Sequence, residues 1–245
     1  MAELAPQRAR RMGVDARGVL AQLEQVRFLV FGRSLPAVLF GLLGYRVFMR
    51  LLDTVHALPA HASVLDVVRA PVPTALYLLF CCIPVGIYLT RPRPRARDGR
   101  LIARAAGLVG TTMLLVVGVV GGPTMFSPPA AVQAVGAPLD IIAFALAVWG
   151  LLTLRRSLSI IPEARRLVTG GPYRFVRHPL YAAEILAATT VVVTQPATLG
   201  AALTLLPFIA VQLLRARFEE RLLARTFPEY TGYMRQTKRL VPGVW

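Results

Sequence analysis

The apolar residues of this chain are gathered into runs long enough to cross a lipid bilayer. A hydrocarbon core about 30 Å thick is crossed by about 20 residues of α-helix, which rises about 1.5 Å per residue. Four runs have that length and two shorter ones follow them: residues 29–49, 71–89, 102–122, 135–154, 180–193 and 197–214. Hydrophobic residues make up 56% of the chain and the mean hydropathy is +0.59, well above what a soluble domain needs. The sequence therefore predicts an all-α polytopic membrane protein with about six transmembrane helices.

The ends of this array carry their own signals. Residues 14–31 place Val19, Leu23, Val26 and Val30 at helical spacing, which predicts a short interfacial helix leading into the first span. The last two runs are separated only by Thr194-Gln195-Pro196, so we expect them to form a tight helical hairpin.

Basic residues alternate strictly with the predicted spans. One side of the membrane receives 25 of the 28 lysines and arginines, and the other side receives only Arg46, Arg50 and Arg69. This positive-inside pattern predicts that both termini are cytoplasmic. It also argues against nucleic acid as a partner, because the formal charge of +16 lies in loops between spans and lacks interleaved aromatic residues. The lipid bilayer is the expected partner.

The second basic loop, Arg91-Pro92-Arg93-Pro94-Arg95, cannot be helical, because its alternate prolines remove hydrogen-bond donors and force extended geometry on their neighbours. We expect the arginines between Arg91 and Arg104 only to fix the orientation of the protein. The two cysteines, Cys81 and Cys82, are adjacent within a span and are expected to be small core residues, so no metal site is predicted.

Polar and ionisable residues crowd the cytoplasmic boundary from Arg155 onward. After the turn Gly170-Gly171-Pro172 comes Arg177-His178-Pro179, where proline suits the first turn of the fifth helix. His178, Tyr181 and Glu184 follow one another at spacings of three and are expected to share one face of that helix. With Arg174 and Arg177 nearby, the helix start is a place for an anionic or carboxylate-bearing ligand.

A second cluster follows the sixth helix. Arg215 and Glu219 are four residues apart and share a face where the helix leaves the membrane, and ionisable residues so close to hydrocarbon indicate a functional site. Because the hairpin returns the chain to the same side, we expect the two clusters to form one pocket. Taken singly, each signal has a structural explanation: snorkelling arginines, solvated Glu219 and Glu220, and an interfacial belt of tyrosines. A non-catalytic membrane protein therefore stays an alternative.

The two clusters together resemble a known family. Residues 167–173 (LVTGGPY), Arg177-His178-Pro179-Leu180-Tyr181, Glu219-Glu220 and a tail of the form Phe-Pro-Glu-Tyr look like the isoprenylcysteine carboxyl methyltransferase (ICMT)-like family of membrane methyltransferases and its bacterial relatives. The resemblance covers roughly residues 150–245. It implies S-adenosylmethionine as the cofactor, a cytoplasmic site in a bacterial inner membrane, and a lipidic or amphipathic acceptor, with a prenylcysteine-type carboxylate as one candidate.

The resemblance also assigns roles by position. The expected catalytic residues are Arg215, Glu219 and His178, and the expected acceptor-binding residues are Arg215, which would face a carboxylate, and Glu184. The expected cofactor contacts are Leu167, Val168, Tyr173, Arg177, His178, Pro179, Leu180, Tyr181 and Glu219.

These expectations divide the chain at residue 138. Residues 1–138 would hold the interfacial helix and the first three transmembrane helices. Residues 139–245 would be the methyltransferase core, with the fourth helix, the cofactor loop, the hairpin and a cytoplasmic tail. The sequence does not predict the oligomeric state.

A second resemblance competes with the first. Membrane NADPH-dependent reductases of the sterol reductase type also have Arg-His-Pro-x-Tyr near a hairpin and a tail like residues 239–245. The chain departs from that pattern, because Glu184 stands where an aspartate is expected and because Glu219-Glu220 is present. Methyl transfer is therefore the favoured hypothesis.

Overall fold

A computed structural model describes residues 18–117 and 123–243, and these residues are mostly helical. One continuous helical stretch runs over Gly18–His56; it contains a π-helical segment, Phe28–Ser34, and then the helix α1, Leu35–His56. From residue 18 onward, the predicted interfacial helix is therefore joined to the first span without a break, and residues 14–17 lie outside the described part. At about 1.5 Å per residue this stretch is longer than the bilayer core is thick.

The other elements follow in chain order. The helices are α2 (Val64–Arg69), α3 (Pro71–Thr90), α4 (Leu101–Val117), α5 (Ala130–Ala134), α6 (Gly136–Leu154), α7 (Pro179–Thr194), α8 (Leu199–Thr226) and α9 (Tyr230–Gln236), with short 3-10 turns at Arg155–Ser157 and Gly171–Arg174. The two-to-three-residue strands are β1 (Ala96–Arg97), β2 (Thr124–Phe126), β3 (Glu163–Ala164) and β4 (Ala197–Thr198).

The predicted apolar runs are helical wherever they are described. Four helical stretches are long and apolar enough to cross a membrane: Gly18–His56, Val64–Thr90, Ala130–Ser157 and Leu199–Thr226. The apolar helices at Leu101–Met113 and Pro179–Thr194 are shorter, and residues 118–122 of the third run lie outside the described part. The chain is thus an integral membrane protein by its helices, while the count of six spans and the cytoplasmic termini stay predictions.

Helix packing places the two halves of the hairpin against different neighbours. Helix α1 packs on α3, α3 on α6, and α6 on α7, whereas α8 packs chiefly on α4. The core between α1, α3 and α6 includes stacked rings, with centroids 6.0 Å apart for Phe40 and Tyr88 and 4.9 Å apart for Tyr77 and Phe144. Helices α7 and α8 contact each other less than they contact these outer neighbours, which leaves room between them.

Two antiparallel strand pairs tie distant loops together. Strand β1 pairs with β3, matching Ala96 with Ala164 and Arg97 with Glu163. Strand β2 pairs with β4 at the turn of the hairpin. The first pair connects the basic loop after α3 to the loop after α6, which leads into the predicted cofactor segment.

The basic loop is non-helical from Arg91 to Arg95, as its prolines predict, but the expectation that its arginines only orient the protein is wrong for Arg91. Arg91 is 2% exposed, and its guanidinium lies 4.3 Å from the centroid of the Tyr88 ring. Its Nη1 donates a hydrogen bond of 3.1 Å to the carbonyl of Leu158. A buried guanidinium needs such partners, so Arg91 fixes the loop that follows α6.

Glu163 is the carboxylate that pairs with the arginines of this region. Its oxygens lie 2.7 Å from Arg165 Nη2, 2.9 Å from Arg97 Nε and 3.6 Å from Arg91 Nη1. Burial acts to raise the pKa of the Glu163 carboxyl, but the guanidiniums of Arg165 and Arg91 and the hydroxyl of Ser159 hold it below its ordinary value. Glu163 is therefore ionised at neutral pH and neutralises part of the buried positive charge.

Candidate active site

The turn that precedes α7 depends on one glycine. Gly171 has φ +57°, in the left-handed region, and a Cβ built there would lie 2.6 Å from the Thr153 hydroxyl oxygen on α6. Both constraints favour glycine, because a residue with a Cβ is strained at positive φ and its Cβ would collide with α6. The turn packs on α6 and brings Tyr173 there as a buried residue.

Helix α7 begins where its proline predicts. His178 is the N-cap and Pro179 the first helical residue. The His178 ring stacks nearly parallel on the Tyr181 ring, with centroids 5.4 Å apart and planes 8° apart. Glu184 lies one turn further along and lines the same cavity, so the predicted common face of these three residues is confirmed.

The neighbouring carboxylates Glu219 and Glu220 on α8 have different surroundings. Glu219 lines the cavity, is 26% exposed at its side chain, accepts a hydrogen bond from the Tyr181 hydroxyl and lies 3.9 Å from His178 Nδ1. The Glu220 side chain is 8% exposed and lies 3.3 Å from His178 Nε2. The hairpin therefore returns both carboxylates to His178, from two sides.

Glu220 also holds the carboxy-terminal tail against the start of α7. It accepts hydrogen bonds from Arg177 Nε at 2.8 Å and from Arg239 Nη2 at 2.7 Å. Backbone bonds join the same segments, because the amides of Arg177 and His178 donate to the carbonyls of Lys238 and Arg239 at 2.8 and 3.0 Å. We call this arrangement of Arg177, Glu220 and Arg239 the tail clasp. Sequence reasoning noted Glu220 but gave it no role of its own.

Arg215 is buried on α8 and held on one side. Its Nη1 donates to the side-chain oxygen of Gln212 at 2.7 Å and lies 4.0 Å from a carboxylate oxygen of Glu184. The guanidinium also lies over the Tyr181 ring, 4.7 Å from the centroid. The predicted sharing of a face by Arg215 and Glu219 holds, since both line the cavity.

A single cavity joins these side chains. The empty space within it, counted together with the part that is open to solvent, is about 1190 Å³. Of the predicted site residues, it is lined by Leu167, Val168, Tyr173, Arg177, His178, Leu180, Tyr181, Glu184, Arg215 and Glu219. Pro179 is the exception: it is buried in the first turn of α7 and does not line the cavity.

The cavity also uses residues that the sequence did not single out. An apolar half is lined from α1, α3 and α6 by Phe40, Phe80, Pro84, Tyr88, Leu151 and Leu154. The periodicity of a sequence shows only that such residues face neighbouring helices. Sequence alone could therefore not distinguish residues that line a cavity from residues of the packed core. Tyr230 and Tyr233 also line the cavity, and the Tyr233 hydroxyl donates to the carbonyl of Tyr173 at 2.5 Å.

Several buried polar atoms at the cavity have no protein partner. They include Arg165 Nη1, Arg215 Nε and the Tyr230 hydroxyl oxygen. Burial raises the pKa of Tyr173 well above 10 and that of Tyr233 to about 12, so these hydroxyls stay protonated at neutral pH. Unpaired buried donors favour a ligand that carries hydrogen-bond acceptors or negative charge.

Comparisons with known proteins include a family model that matches the region of the hairpin. Residues 132–230 match the model of the phospholipid methyltransferase family. The chain is 37% identical over 81 residues, 33% of its length, to the nickel-cobalt-cadmium resistance protein NccN of Alcaligenes xylosoxydans xylosoxydans. It is 36% identical over 76 residues, 31% of its length, to the cobalt-zinc-cadmium resistance protein CzcN of Cupriavidus metallidurans.

These matches cover 38% and 35% of the two relatives, little more than a third of their length. Within residues 18–117 and 123–243, no group of three or more His, Cys, Asp or Glu side chains is placed to hold a metal ion.

The family match begins before the predicted hairpin and ends at Tyr230, so it contains α7, α8 and both carboxylates at His178. It confirms the resemblance to the ICMT-like membrane methyltransferases. The residues of this integral membrane protein that match the phospholipid methyltransferase family are thus those that carry the polar side chains of the cavity on α7 and α8.

Proposed function

We propose that this protein transfers a methyl group from S-adenosylmethionine to a lipidic or amphipathic acceptor. The observation that carries the proposal is the shared cavity, in which His178 and Tyr181 from the start of α7 meet Arg215 and Glu219 from the end of α8. The family match supports methyl transfer, while the cofactor and the acceptor are part of the proposal.

The side chains present fit the cofactor by their chemistry. S-adenosylmethionine carries an ammonium, a carboxylate, an adenine ring and a sulfonium that supplies the methyl group when the cofactor is bound. Glu219 can accept from the ammonium or the ribose hydroxyls, and the unpaired Nη1 of Arg165 can donate to a carboxylate. The Tyr173 and Tyr181 rings offer faces for adenine or for the positive sulfonium.

The residues that line the cavity would contribute alignment of the two reactants. Methyl transfer joins the acceptor atom to the methyl carbon, and the carbon–sulfur bond breaks with its electron pair staying on sulfur. A carboxylate acceptor is already ionised at neutral pH, so no base is required and positioning supplies the catalysis. If the acceptor is an amine or a thiol, His178, Glu184 or Glu219 would take its proton.

Location favours an acceptor with a hydrocarbon part. The apolar half of the cavity is built from α1, α3 and α6, which belong to helical stretches long and apolar enough to cross a membrane. An amphipathic molecule would place its chain there and its reactive head near Arg215. A prenylcysteine-type carboxylate meets this description, and we propose a site that faces the cytoplasm of a bacterial inner membrane.

Ligand binding by the full chain in detergent tests the proposal. We expect S-adenosylmethionine to bind and NADPH not to bind in isothermal titration calorimetry, followed by transfer of radiolabelled methyl into lipid extracts or prenylcysteine analogues. Binding of NADPH without S-adenosylmethionine would favour a reductase instead. Binding of neither ligand would favour a non-catalytic membrane protein.

A further inference from the structure

We infer that Gln212 and Gly110 are positioning residues that hold Arg215 in place to recognise an anionic group on the acceptor. The inference deepens the proposed function and rests on it. Neither residue stands in the sequence pattern that identifies the site, and Gly110 lies outside the residues that match the family.

Gln212 bridges two charged side chains of the cavity. It is 0% exposed, its Nε2 donates to a Glu184 carboxylate oxygen, and its Oε1 accepts from Arg215 Nη1 at 2.7 Å. A carboxylate can only accept and a guanidinium can only donate, so the orientation of the amide between them is fixed. A side-chain amide suits this place because it does both.

The bridge leaves one edge of Arg215 for a ligand. Nη1 is occupied by Gln212 and faces Glu184 at 4.0 Å, while Nε is buried and has no partner. The Arg215 side chain is 5% exposed, so its unpaired donor lacks water as a substitute. A carboxylate or phosphate oxygen would satisfy it, and a guanidinium edge binds such groups with defined geometry.

Helix α4 provides the space in which this arrangement fits. A Cβ built on Gly110 would lie 2.7 Å from Arg215 Cδ, 3.0 Å from Arg215 Nη1 and 3.0 Å from Gln212 Oε1. Even one methyl group would therefore displace the guanidinium from Gln212. Because α8 packs chiefly on α4, the displacement cannot be relieved easily by moving the helices apart.

The test separates recognition of the anion from binding of the cofactor. The probes are N-acetyl-S-farnesylcysteine and its methyl ester, which differ only in the negative charge, and S-adenosylmethionine. We expect the wild-type protein to prefer the acid over the ester by at least about tenfold in Kd. Gln212→Met keeps the length of the side chain but can neither donate nor accept strongly, and Gly110→Ala adds the colliding methyl group. Both should lose the preference and keep the wild-type Kd for S-adenosylmethionine.

A matched glycine controls for helix effects. Gly86 lies within α3, and a Cβ there meets nothing within 4 Å, so Gly86→Ala should keep the preference for the acid. Equal binding of acid and ester by the wild type, or no binding of either, overturns the inference, as does an unchanged preference in the variants. Loss of S-adenosylmethionine affinity together with the preference would indicate a merely structural role. If one variant does not fold, the other decides.

Failure of the proposed function looks different. In that case the wild-type protein itself would not bind S-adenosylmethionine, whatever its affinity for the two prenylcysteine probes.

Discussion

Glu219 and Glu220 show how one position along a helix changes the role of the same side chain. Successive residues of an α-helix are rotated by about 100°, so two adjacent carboxylates have different surroundings even though both reach His178 here. Glu219 lines the cavity beside Tyr181, and Glu220 is enclosed in the tail clasp with Arg177 and Arg239. The sequence marks the pair as functional but cannot assign the two roles, because the partners of Glu220 lie 43 and 19 residues away.

Alanine substitutions of Glu219 and Glu220 should therefore affect different properties, cofactor affinity in the first case and stability in the second. Glu219→Ala should lower S-adenosylmethionine affinity by at least about tenfold while changing the free energy of unfolding by no more than about 1 kcal/mol. Glu220→Ala leaves two largely buried guanidiniums without their carboxylate and should cost about 3–5 kcal/mol of stability. Thermal unfolding in detergent and calorimetric titration measure the two quantities, and a destabilised Glu219→Ala with normal cofactor binding would reverse the assignment.

The basic loop after α3 has one property that its own sequence predicts and one that depends on a distant segment. Its prolines predict a non-helical segment, and that prediction is confirmed. Its pairing with the loop after α6 was not predictable, because strands of two residues have no periodicity to detect. The burial of Arg91 follows from the same pairing, which places the guanidinium next to Glu163 and not in a solvated loop.

The pH dependence of stability tests this connection. The pKa of Glu163 is lower in the folded protein than its ordinary value of 4.5. Its contribution to stability is therefore complete above pH 4.5 and is lost as the pH falls through the lowered folded pKa. Glu163→Gln should remove this contribution, so that the variant is less stable than wild type at pH 7 and the difference shrinks in acid.

Thermal unfolding between pH 7 and pH 3 measures the difference. Glu229→Gln, at an exposed position before α9, gives the change expected from removing a carboxylate that lies outside this cluster. A constant gap between wild type and Glu163→Gln across the pH range would contradict the prediction.

At the scale of the whole molecule, the helices were predictable and their arrangement was not. Apolar runs predict each helix because burial in lipid selects composition over some 20 residues. The runs do not say that α7 packs on α6 while α8 packs on α4, which leaves room for the cavity between them. The polar residues that line the cavity could be singled out in the sequence because ionisable residues near hydrocarbon are costly, while their roles stay predictions. The apolar half was not, since Phe40 and Phe80 resemble any other core residues.

A larger side chain in the apolar half of the cavity should therefore limit the protein to acceptors with shorter hydrocarbon chains. Leu154 is half-buried and lines the cavity, whereas its neighbour Leu152 is 56% exposed and does not. Leu154→Trp should lower kcat/KM for prenylcysteine analogues increasingly with chain length and leave the S-adenosylmethionine Kd unchanged. Leu152→Trp serves as the control and should keep the wild-type chain-length profile. An equal loss for all chain lengths would place the hydrocarbon elsewhere.

The tail clasp gives the order in which the protein can mature during synthesis. Arg239 leaves the ribosome only after all the apolar helices have been made, so a chain can be fully inserted in the membrane while Glu220 still lacks one of its two arginines. The clasp then joins the segment at Arg239 to the His178 segment. A polypeptide cut short after α9 would keep its apolar helices but would lack Arg239, so the start of α7 would be held by fewer contacts.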